Sequence, residues 1–143
     1  MIELEVEAPV YPTESVEKVE KALKTIVDTP YSLSTEEGKS ILRGRAQGLE
    51  GVSKIYQCLR DQLIVESARK IMRRKIVGDT VTFHVHKQAA FMGKIHFCQP
   101  EAESPMGAIK VTIRSTKIEE LVDWLCPKTV DGKPLEREPP IDG

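Results

Sequence analysis

Three histidines and a cysteine lie close together in the stretch TVTFHVHKQAAFMGKIHFC. Imidazole and thiolate groups are ligands that zinc prefers in proteins. Alternating apolar and polar residues predict a hairpin of two strands in this stretch, at 80–86 and about 92–98. If residue 84 pairs with residue 96, one face of the hairpin carries four candidate zinc ligands. These ligands are His84, His86, His96 and Cys98.

Two features of the same stretch argue against a metal site. Side chains at positions i and i+2 of a strand point in the same direction, side by side. Four such ligands on an open sheet face rarely surround one metal ion in a tetrahedral arrangement. The stretch also contains no aspartate or glutamate that could orient the imidazoles. A polar sheet face that stacks on RNA or hydrogen-bonds to it explains the residues equally well, as does a face that only contacts water. We therefore predict no cofactor and keep zinc as an alternative.

Positive charge is concentrated in one quarter of the chain. The whole chain of 143 residues has a net charge of −1, but residues 1–38 carry −6, residues 39–75 carry +7 and residues 76–143 carry −2. Such asymmetry favours a polyanionic partner. The alternative is that the acidic first segment pairs with the basic second segment inside the folded protein.

A basic face is predicted for the second of two helices between Leu49 and Ile76. On a helical wheel, Arg69, Lys70, Arg73 and Arg74 fall on the side opposite the apolar residues. Four cations on one exposed face could follow a phosphate backbone. A solvated face that a nearby glutamate partly neutralises is the alternative.

A possible anion clamp occurs in the stretch ILRGRAQGLEG. Arg43 and Arg45 flank Gly44, and Gly48 precedes a predicted helix. Free backbone N–H groups at a helix start favour an anion, which two arginines could hold. Alternatively, the stretch is a strand-to-helix connection that needs glycine for its backbone angles.

The periodicity of the whole chain predicts the element order β-α-β-α-α-β-β-β-α. The first strand, IELEVEAPV, has one acidic face, and Thr13 is expected to cap the first helix. A short second strand is predicted at 40–43, and Thr116 is expected to cap the last helix. This order predicts an α+β protein whose antiparallel sheet carries helices on one face and leaves the other face accessible.

Composition and length limit the class of protein. One domain is predicted over residues 1–128, followed by a Pro-rich, partly disordered tail at 129–143. The apolar runs are too short to span a bilayer, and the N-terminus does not look like a signal peptide. The three cysteines lack CxxC spacing, which favours reduced thiols and a cytoplasmic location. The chain shows no nucleophile elbow and no distinctive carboxylate pair, so we do not expect an enzyme.

Four stretches together resemble a known family: HVHKQAAFMGKIHF, GLEGVSKIYQCLRDQLIVESARK, SPMGAIKVTI and LVDWLCPKT. The family consists of small archaeal proteins catalogued as RNA-binding domains and sometimes labelled exosome-associated, with a fold similar to ribosomal protein L-five. The resemblance runs from the first strand to about Thr129 and implies that Lys87, Gln88 and Lys94 contact RNA. The family usually has Asn where this chain has His86, which weakens the zinc hypothesis.

The sequence therefore predicts a protein that binds RNA mainly through phosphates. Shape and charge should matter more than base readout, because the aromatic fraction is only 5%. The expected RNA contacts are Arg43, Arg45, Arg69, Arg73, Arg74, Lys87, Gln88 and Lys94. A non-catalytic interaction module is the main alternative, either as a homodimer or as a partner in an RNA-processing complex.

Overall fold

The computed structural model describes residues 1–99 and 107–140. Its strands are β1 (Glu3–Val10), β2 (Tyr31–Glu36), β3 (Lys39–Gln47), β4 (Ile76–Val77), β5 (Thr80–His86), β6 (Phe97–Cys98), β7 (Ala108–Arg114), β8 (Thr129–Val130) and β9 (Lys133–Pro134). Its helices are α1 (Val16–Ile26), α2 (Gly48–Asp61), α3 (Val65–Lys75), α4 (Lys87–Phe91) and α5 (Ile118–Leu125).

The main sheet is antiparallel, with the strand order β2-β3-β1-β7-β5. The outer edge of β5 pairs with β4 at one end and with β6 at the other. In the centre of the sheet, Val6 of β1 lies opposite Gly44 of β3 and Val111 of β7. The predicted α+β class and the antiparallel sheet are confirmed.

The core lies between the helices and one face of the sheet. Alternation along β1 buries Leu4 and Val6 almost completely, while Glu5 and Glu7 point to the opposite face. The helices contribute apolar stripes to the same core, for example Val52, Ile55 and Leu59 of α2. Helices therefore cover one face of the sheet, and the charged side chains of β1 lie on the other.

The region after α1 forms a hairpin of two long strands, β2 and β3, where the sequence predicted only a short strand at 40–43. Gly44 lies inside β3 and does not break it. A Cβ atom there would collide with the ring of Tyr31, whose hydroxyl lies 2.7 Å from the carbonyl oxygen of Val27. Glycine is needed at this position because an aromatic ring packs directly on the strand backbone.

Two predicted helix caps are wrong. Helix α1 is capped by Ser15 and not by Thr13, and the Ser15 hydroxyl accepts a hydrogen bond of 3.1 Å from the backbone N–H of Lys18. Helix α5 has Lys117 at its N-cap position, whose side chain makes no cap bond, and the backbone N–H of Lys117 donates to the hydroxyl of Ser115 at 3.1 Å. Helix α1 therefore begins two residues later, and helix α5 one residue later, than a cap at the predicted threonine would give.

The segment after β5 is a short helix, α4, where the sequence predicted a hairpin loop. Strand β6 consequently has only two residues, and His84 lies opposite Cys98 instead of His96. The backbone N–H of His86 donates to the carbonyl oxygen of His96 at 2.8 Å. The side chain of Gln62 holds both backbone polar groups of Ile95, at 2.7 and 2.9 Å. Because a side chain takes these hydrogen bonds, the segment before β6 does not extend as a strand.

The C-terminal segment makes ordered contacts where it is described. Strands β8 and β9 form a small hairpin, and the backbone N–H of Leu135 donates to the carbonyl oxygen of Lys128 at 2.8 Å. The domain boundary at residue 128 stays a prediction. Most of the turn-rich stretch QPEAESPMG (residues 99–107) and the final residues 141–143 lie outside the described residues. None of the described helices is long and apolar enough to cross a membrane.

Candidate nucleic-acid interface

The first two predicted arginines lie on the sheet face that points away from the helices. The antiparallel register places Arg43 opposite Glu7 and Arg45 opposite Glu5. Each guanidinium Nε donates to the glutamate across from it, at 2.8 Å for Arg43 and 3.0 Å for Arg45. The hydrogen bond to Glu7 raises the pKa of Arg43 above its ordinary value. Each of these two arginines is therefore matched by a carboxylate, although Glu7 also lies 3.9 Å from the Nζ atom of Lys110.

The expected clamp at the start of α2 is not formed. The backbone N–H of Gly48 donates to the carbonyl oxygen of Ile2 at 2.9 Å, so it is not available to an anion. Gly48 has a φ of 77°, in the left-handed region that favours glycine. Of the two interpretations, the strand-to-helix connection that needs glycine fits the structure, and the arginines bond to Glu5 and Glu7 of β1.

Arg69 and Arg73 of α3 lie against α5 and share the carboxylate of Asp123. Their Nη1 atoms are 2.8 Å and 3.0 Å from the Oδ1 atom of Asp123, and the Nη1 atom of Arg137 is 3.4 Å from Oδ2. These residues line a cleft of about 520 Å³ together with Lys128. Asp123 faces three guanidinium groups, and the other carboxylate of the cleft, that of Glu136, is bonded to Arg60, so the described lining residues carry excess positive charge. Neither Asp123 nor Arg137 was predicted to belong to a site.

Arg60 holds the C-terminal segment in place, a role that the sequence did not predict. Its Nε and Nη2 atoms donate to the two carboxylate oxygens of Glu136, at 3.0 and 2.7 Å. Its guanidinium carbon lies 3.4 Å from the centroid of the Tyr56 ring, which stacks on Trp124. This forked pair attaches the C-terminal segment to α2.

Lys87 is buried, although the family resemblance predicted that it contacts RNA. Its side chain is only 5% exposed, and its Nζ atom donates to Glu14 at 3.0 Å and to the carbonyl oxygen of Pro9 at 2.6 Å. Burial lowers the pKa of Lys87, and the hydrogen bond to Glu14 opposes that shift. The ammonium group is therefore directed inward, away from any partner in solution. Gln88 is exposed, and together with Lys87 and Glu14 it lines a cleft of about 380 Å³ beside α1.

Arg74, the last predicted arginine, lies in a different environment. A cleft of about 500 Å³ separates the end of α3 from the outer edge of β5 and from β6. We call it the histidine cleft, and the residues that line it include Arg74, Lys75, His84, His86, His96 and Cys98. Lys75 was not among the predicted contacts, although it continues the basic run ARKIMRRK. Lys94 is exposed and comes two residues before His96.

The cations of the histidine cleft are not neutralised by the described part of the chain. Arg74 donates from Nε to the carbonyl oxygen of Lys70 at 3.0 Å, and neither Arg74 nor Lys75 forms an ion pair with any residue of 1–99 or 107–140. The described residues that line the cleft include no aspartate or glutamate. The described residues therefore leave this positive charge unmatched, in contrast to that of Arg43 and Arg45 on the sheet face.

The histidines are arranged differently from the predicted cluster. The rings of His86 and His96 meet edge to face with centroids 4.9 Å apart. His84 lies two residues along β5, opposite Cys98. Within the described ranges, no group of three or more His, Cys, Asp or Glu residues is placed to hold a metal ion. The zinc alternative therefore gains no support from the geometry.

Comparison with known proteins shows the family to which this chain belongs. A family model described as RNA binding matches residues 3–115, which include the whole sheet and the histidine cleft. The chain belongs to this RNA-binding family. The family resemblance seen in the sequence is thereby confirmed. Asp123 and Arg137 lie beyond the matched residues, so the cleft at Asp123 is not wholly part of the family match.

Similar proteins in the family are UPF0201 proteins of archaea. One from Aeropyrum pernix is 41% identical over 143 residues, covering 97% of this chain and 95% of that protein. Another from Pyrococcus horikoshii is 37% identical over 135 residues, covering 94% of this chain and 96% of that protein. The crystal structure of a UPF0201 protein from Methanococcus jannaschii superposes with a TM-score of 0.82 at 25% identity, covering 94% of this chain and 99% of that chain. The similarity therefore extends over nearly the full fold.

Proposed function

We propose that this protein binds RNA through the phosphate backbone and that the histidine cleft is the principal contact. The observation that carries the proposal is the charge of Arg74 and Lys75, which no described residue neutralises, in a cleft within the residues matched by the RNA-binding family. A polyanion gains most where protein cations have no carboxylate of their own, because no internal ion pair must first be broken. The imidazoles of His86 and His96 add hydrogen-bonding nitrogens to the same cleft.

Other predicted contacts take secondary roles in this proposal. The excess positive charge around Asp123 supports a second phosphate contact through Arg73 and Arg137, and exposed Lys94 could extend the cleft surface. Arg43 and Arg45 contribute little, because Glu7 and Glu5 neutralise them. Lys87 positions α4 and does not touch RNA.

Recognition through phosphates fits the scarcity of exposed aromatic rings. Phe83 is buried in the core and offers no open stacking surface, and Phe97, which lines the histidine cleft, is half-buried and packs edge to face with Phe83 at 5.4 Å between centroids. Binding should therefore depend strongly on salt and weakly on base sequence.

The proposal is tested by fluorescence anisotropy of labelled single-stranded and duplex RNA at several salt concentrations. The double variant Arg74→Ala/Lys75→Ala should weaken binding about tenfold or more. It should also reduce the slope of log K against log salt by about 1.4 on single strands, because each lost phosphate contact accounts for about 0.7. The matched control Arg43→Ala/Arg45→Ala removes the same charge from the same basic segment and should change affinity by less than about threefold.

Two outcomes would overturn this assignment. Equal losses in both double variants would mean that overall charge, and not the cleft, determines binding. No detectable binding of either RNA at low salt would remove RNA as the partner of this chain.

A protein partner is the second candidate, and one observation favours it. Strand β2 is the last strand in the sheet order, and its Leu33 is 48% exposed. An edge strand can pair with a strand of another chain, including a second copy of this one. Sedimentation at several concentrations tests this candidate, and replacing Leu33 with Lys should then reduce the measured mass. A mass that stays monomeric at all concentrations argues against the homodimer.

The same proposal places the protein in the cytoplasm. Cys58 is half-buried and Cys126 is fully buried, and both carry free thiols. Burial raises the pKa of the Cys126 thiol to about 12, so it stays protonated and unreactive. Unreactive thiols of this kind suit a reducing compartment.

A further inference from the structure

The histidine cleft combines two kinds of group that RNA chemistry uses. His86 and His96 present two imidazoles in direct contact, with centroids 4.9 Å apart. The hydrogen bond between their backbones, 2.8 Å from the His86 N–H to the His96 carbonyl oxygen, fixes the spacing of the two residues. Arg74 and Lys75 supply permanent positive charge in the same cleft. Such a set holds a pair of proton carriers next to a phosphate-binding group.

We propose that the histidine cleft cleaves RNA, with His86 and His96 as the general base and the general acid. This inference rests on the proposed RNA binding, and it gives that binding a chemical consequence. The substrate class is single-stranded RNA with a free 2′-hydroxyl next to the phosphodiester held by Arg74 and Lys75.

The reaction is an intramolecular phosphoryl transfer. One imidazole removes the proton of the 2′-hydroxyl, and the 2′ oxygen forms a bond to the adjacent phosphorus. The bond between that phosphorus and the 5′ oxygen of the next nucleotide breaks, and the second imidazole, which begins protonated, gives its proton to the leaving 5′ oxygen. The products are a 2′,3′-cyclic phosphate and a 5′-hydroxyl. No atom is gained or lost, and nothing is oxidised or reduced.

Each residue has a physical reason for its role. Imidazole is the side chain most often used for general acid and base catalysis, which contributes typically 10²–10⁴-fold per group. The transferring phosphoryl group accumulates negative charge on its oxygens, and cations aimed at those oxygens stabilise it. His96 is exposed and His86 is half-buried, so the pair can meet a substrate from the open side of the cleft.

The remaining charged clusters lack one part of this set. The buried pair of Lys87 and Glu14 is occupied by its own hydrogen bonds, and the cleft at Asp123 has guanidinium groups but no histidine among its described lining residues. Among the described residues, the combination of paired imidazoles and unmatched cations occurs in the histidine cleft.

The experiment follows a 5′-labelled single-stranded RNA incubated with the purified full-length protein. The wild type should produce fragments that end in a 2′,3′-cyclic phosphate, identified by mass spectrometry. A substrate with a single 2′-deoxy nucleotide should stay intact at that linkage, because it lacks the nucleophile. His86→Asn and His96→Asn should each reduce the cleavage rate about 100-fold or more. Arg45→Ala, purified in parallel, should cleave like the wild type.

Binding is measured separately, so that the two proposals can fail independently. A fully 2′-O-methylated RNA cannot react but keeps every phosphate, and its affinity reports the proposed function alone. If it binds while unmodified RNA stays intact, cleavage is excluded and RNA binding stands. If it does not bind, the proposed function fails as well. If cleavage persists in the His86→Asn/His96→Asn double variant, these residues do not catalyse it. Because His96 is exposed, the His96→Asn single variant should be as stable as the wild type. Its cleavage rate therefore decides whether His96 takes part in catalysis.

Discussion

The sheet face and the histidine cleft both carry cations, yet they differ in what faces those cations. On the sheet face, Arg43 and Arg45 each have a glutamate of β1 directly across the strand pair. In the cleft, Arg74 and Lys75 face imidazoles and no described carboxylate. Counting positive residues along the chain does not distinguish the two regions, because both lie in the basic segment 39–75. The position of the carboxylates determines which of them can attract a polyanion.

The difference follows from the two kinds of secondary structure. In an antiparallel pair, the register fixes which side chains are neighbours, so the glutamates of IELEVEAPV meet the arginines of β3 one by one. At the end of α3, by contrast, no strand among the described residues supplies acidic side chains in register with Arg74 and Lys75. The cations Arg73, Arg74 and Lys75 lie in the last turn, where the helix dipole favours positive charge. The helix end can therefore keep Arg74 and Lys75 without a carboxylate partner among the described residues.

Replacing Lys87 tests the comparison most strongly, because Lys87 is the most deeply buried of the matched cations. Lys87→Ala leaves the buried Glu14 carboxylate without its countercharge, with the backbone N–H of Tyr11 still donating to it, so we expect a loss of about 3–5 kcal/mol in the free energy of unfolding. Chemical denaturation measures the loss, and the RNA affinity of the folded fraction should not change. Lys94→Ala removes an exposed lysine of the same segment and should change stability by less than about 0.5 kcal/mol.

A further variant of the same pair separates burial from charge. Lys87→Met combined with Glu14→Gln removes both charges and keeps similar volumes, so it should recover much of the stability that Lys87→Ala loses. If Lys87→Ala were as stable as the wild type, or if it alone abolished RNA binding, Lys87 would be a contact residue and the matched-cation interpretation would be wrong.

Removing the carboxylates of the sheet face should convert a matched surface into an unmatched one. Glu5→Gln/Glu7→Gln leaves Arg43 and Arg45 without partners, so RNA affinity should rise about threefold at low salt, and the salt dependence should become steeper. Because exposed ion pairs contribute about 0–1 kcal/mol each, stability should fall only slightly. Anisotropy titrations at two salt concentrations give both quantities.

The matched control for this gain is Glu119→Gln/Glu120→Gln. It removes the same negative charge from the exposed side of α5, at a distance from the arginines of β3. An equal gain in both double variants would show that net charge alone raises the affinity. No gain in either would show that the sheet face cannot meet RNA even when its cations are released.

Local patterns in the sequence predict much of the fold. Alternation in IELEVEAPV predicts β1 and its acidic face, and helical spacing predicts that Val52 and Leu59 are buried. These predictions succeed because strand and helix periodicities depend on neighbours only a few residues apart. Helix α4 was missed because a helix of five residues is too short to show a period.

The candidate site depends on contacts that are distant in sequence and could not be predicted in the same way. Arg69 bonds to Asp123, which is 54 residues away, and Arg60 bonds to Glu136, which is 76 residues away. Composition gives the number of cations but not their partners, because partners are set by tertiary packing. The histidine cluster was identified from its residues, whereas the pairing of His86 with His96 required the actual register of β5.

The weakest expected effect concerns the matched pair of Arg60 and Glu136 and its dependence on pH. Hydrogen bonding to Arg60 holds the pKa of Glu136 below its ordinary value. A carboxyl whose pKa is lower in the folded state stabilises the fold above its unfolded pKa, and this contribution is lost as the pH falls through the folded pKa. Glu136→Gln should therefore be slightly less stable than the wild type at neutral pH, and the difference should shrink in acid.

Thermal unfolding of both proteins between neutral pH and about pH 3, below the usual range of a glutamate, measures this effect. Glu138→Gln is the control, since Glu138 is an exposed glutamate two residues further along the same segment. The stability of Glu138→Gln should stay close to that of the wild type at every pH. A difference for Glu136→Gln that stays constant with pH would mean that the forked bond contributes through geometry alone. Because this pair is matched, RNA affinity at neutral pH should be the same in the wild type and in both variants.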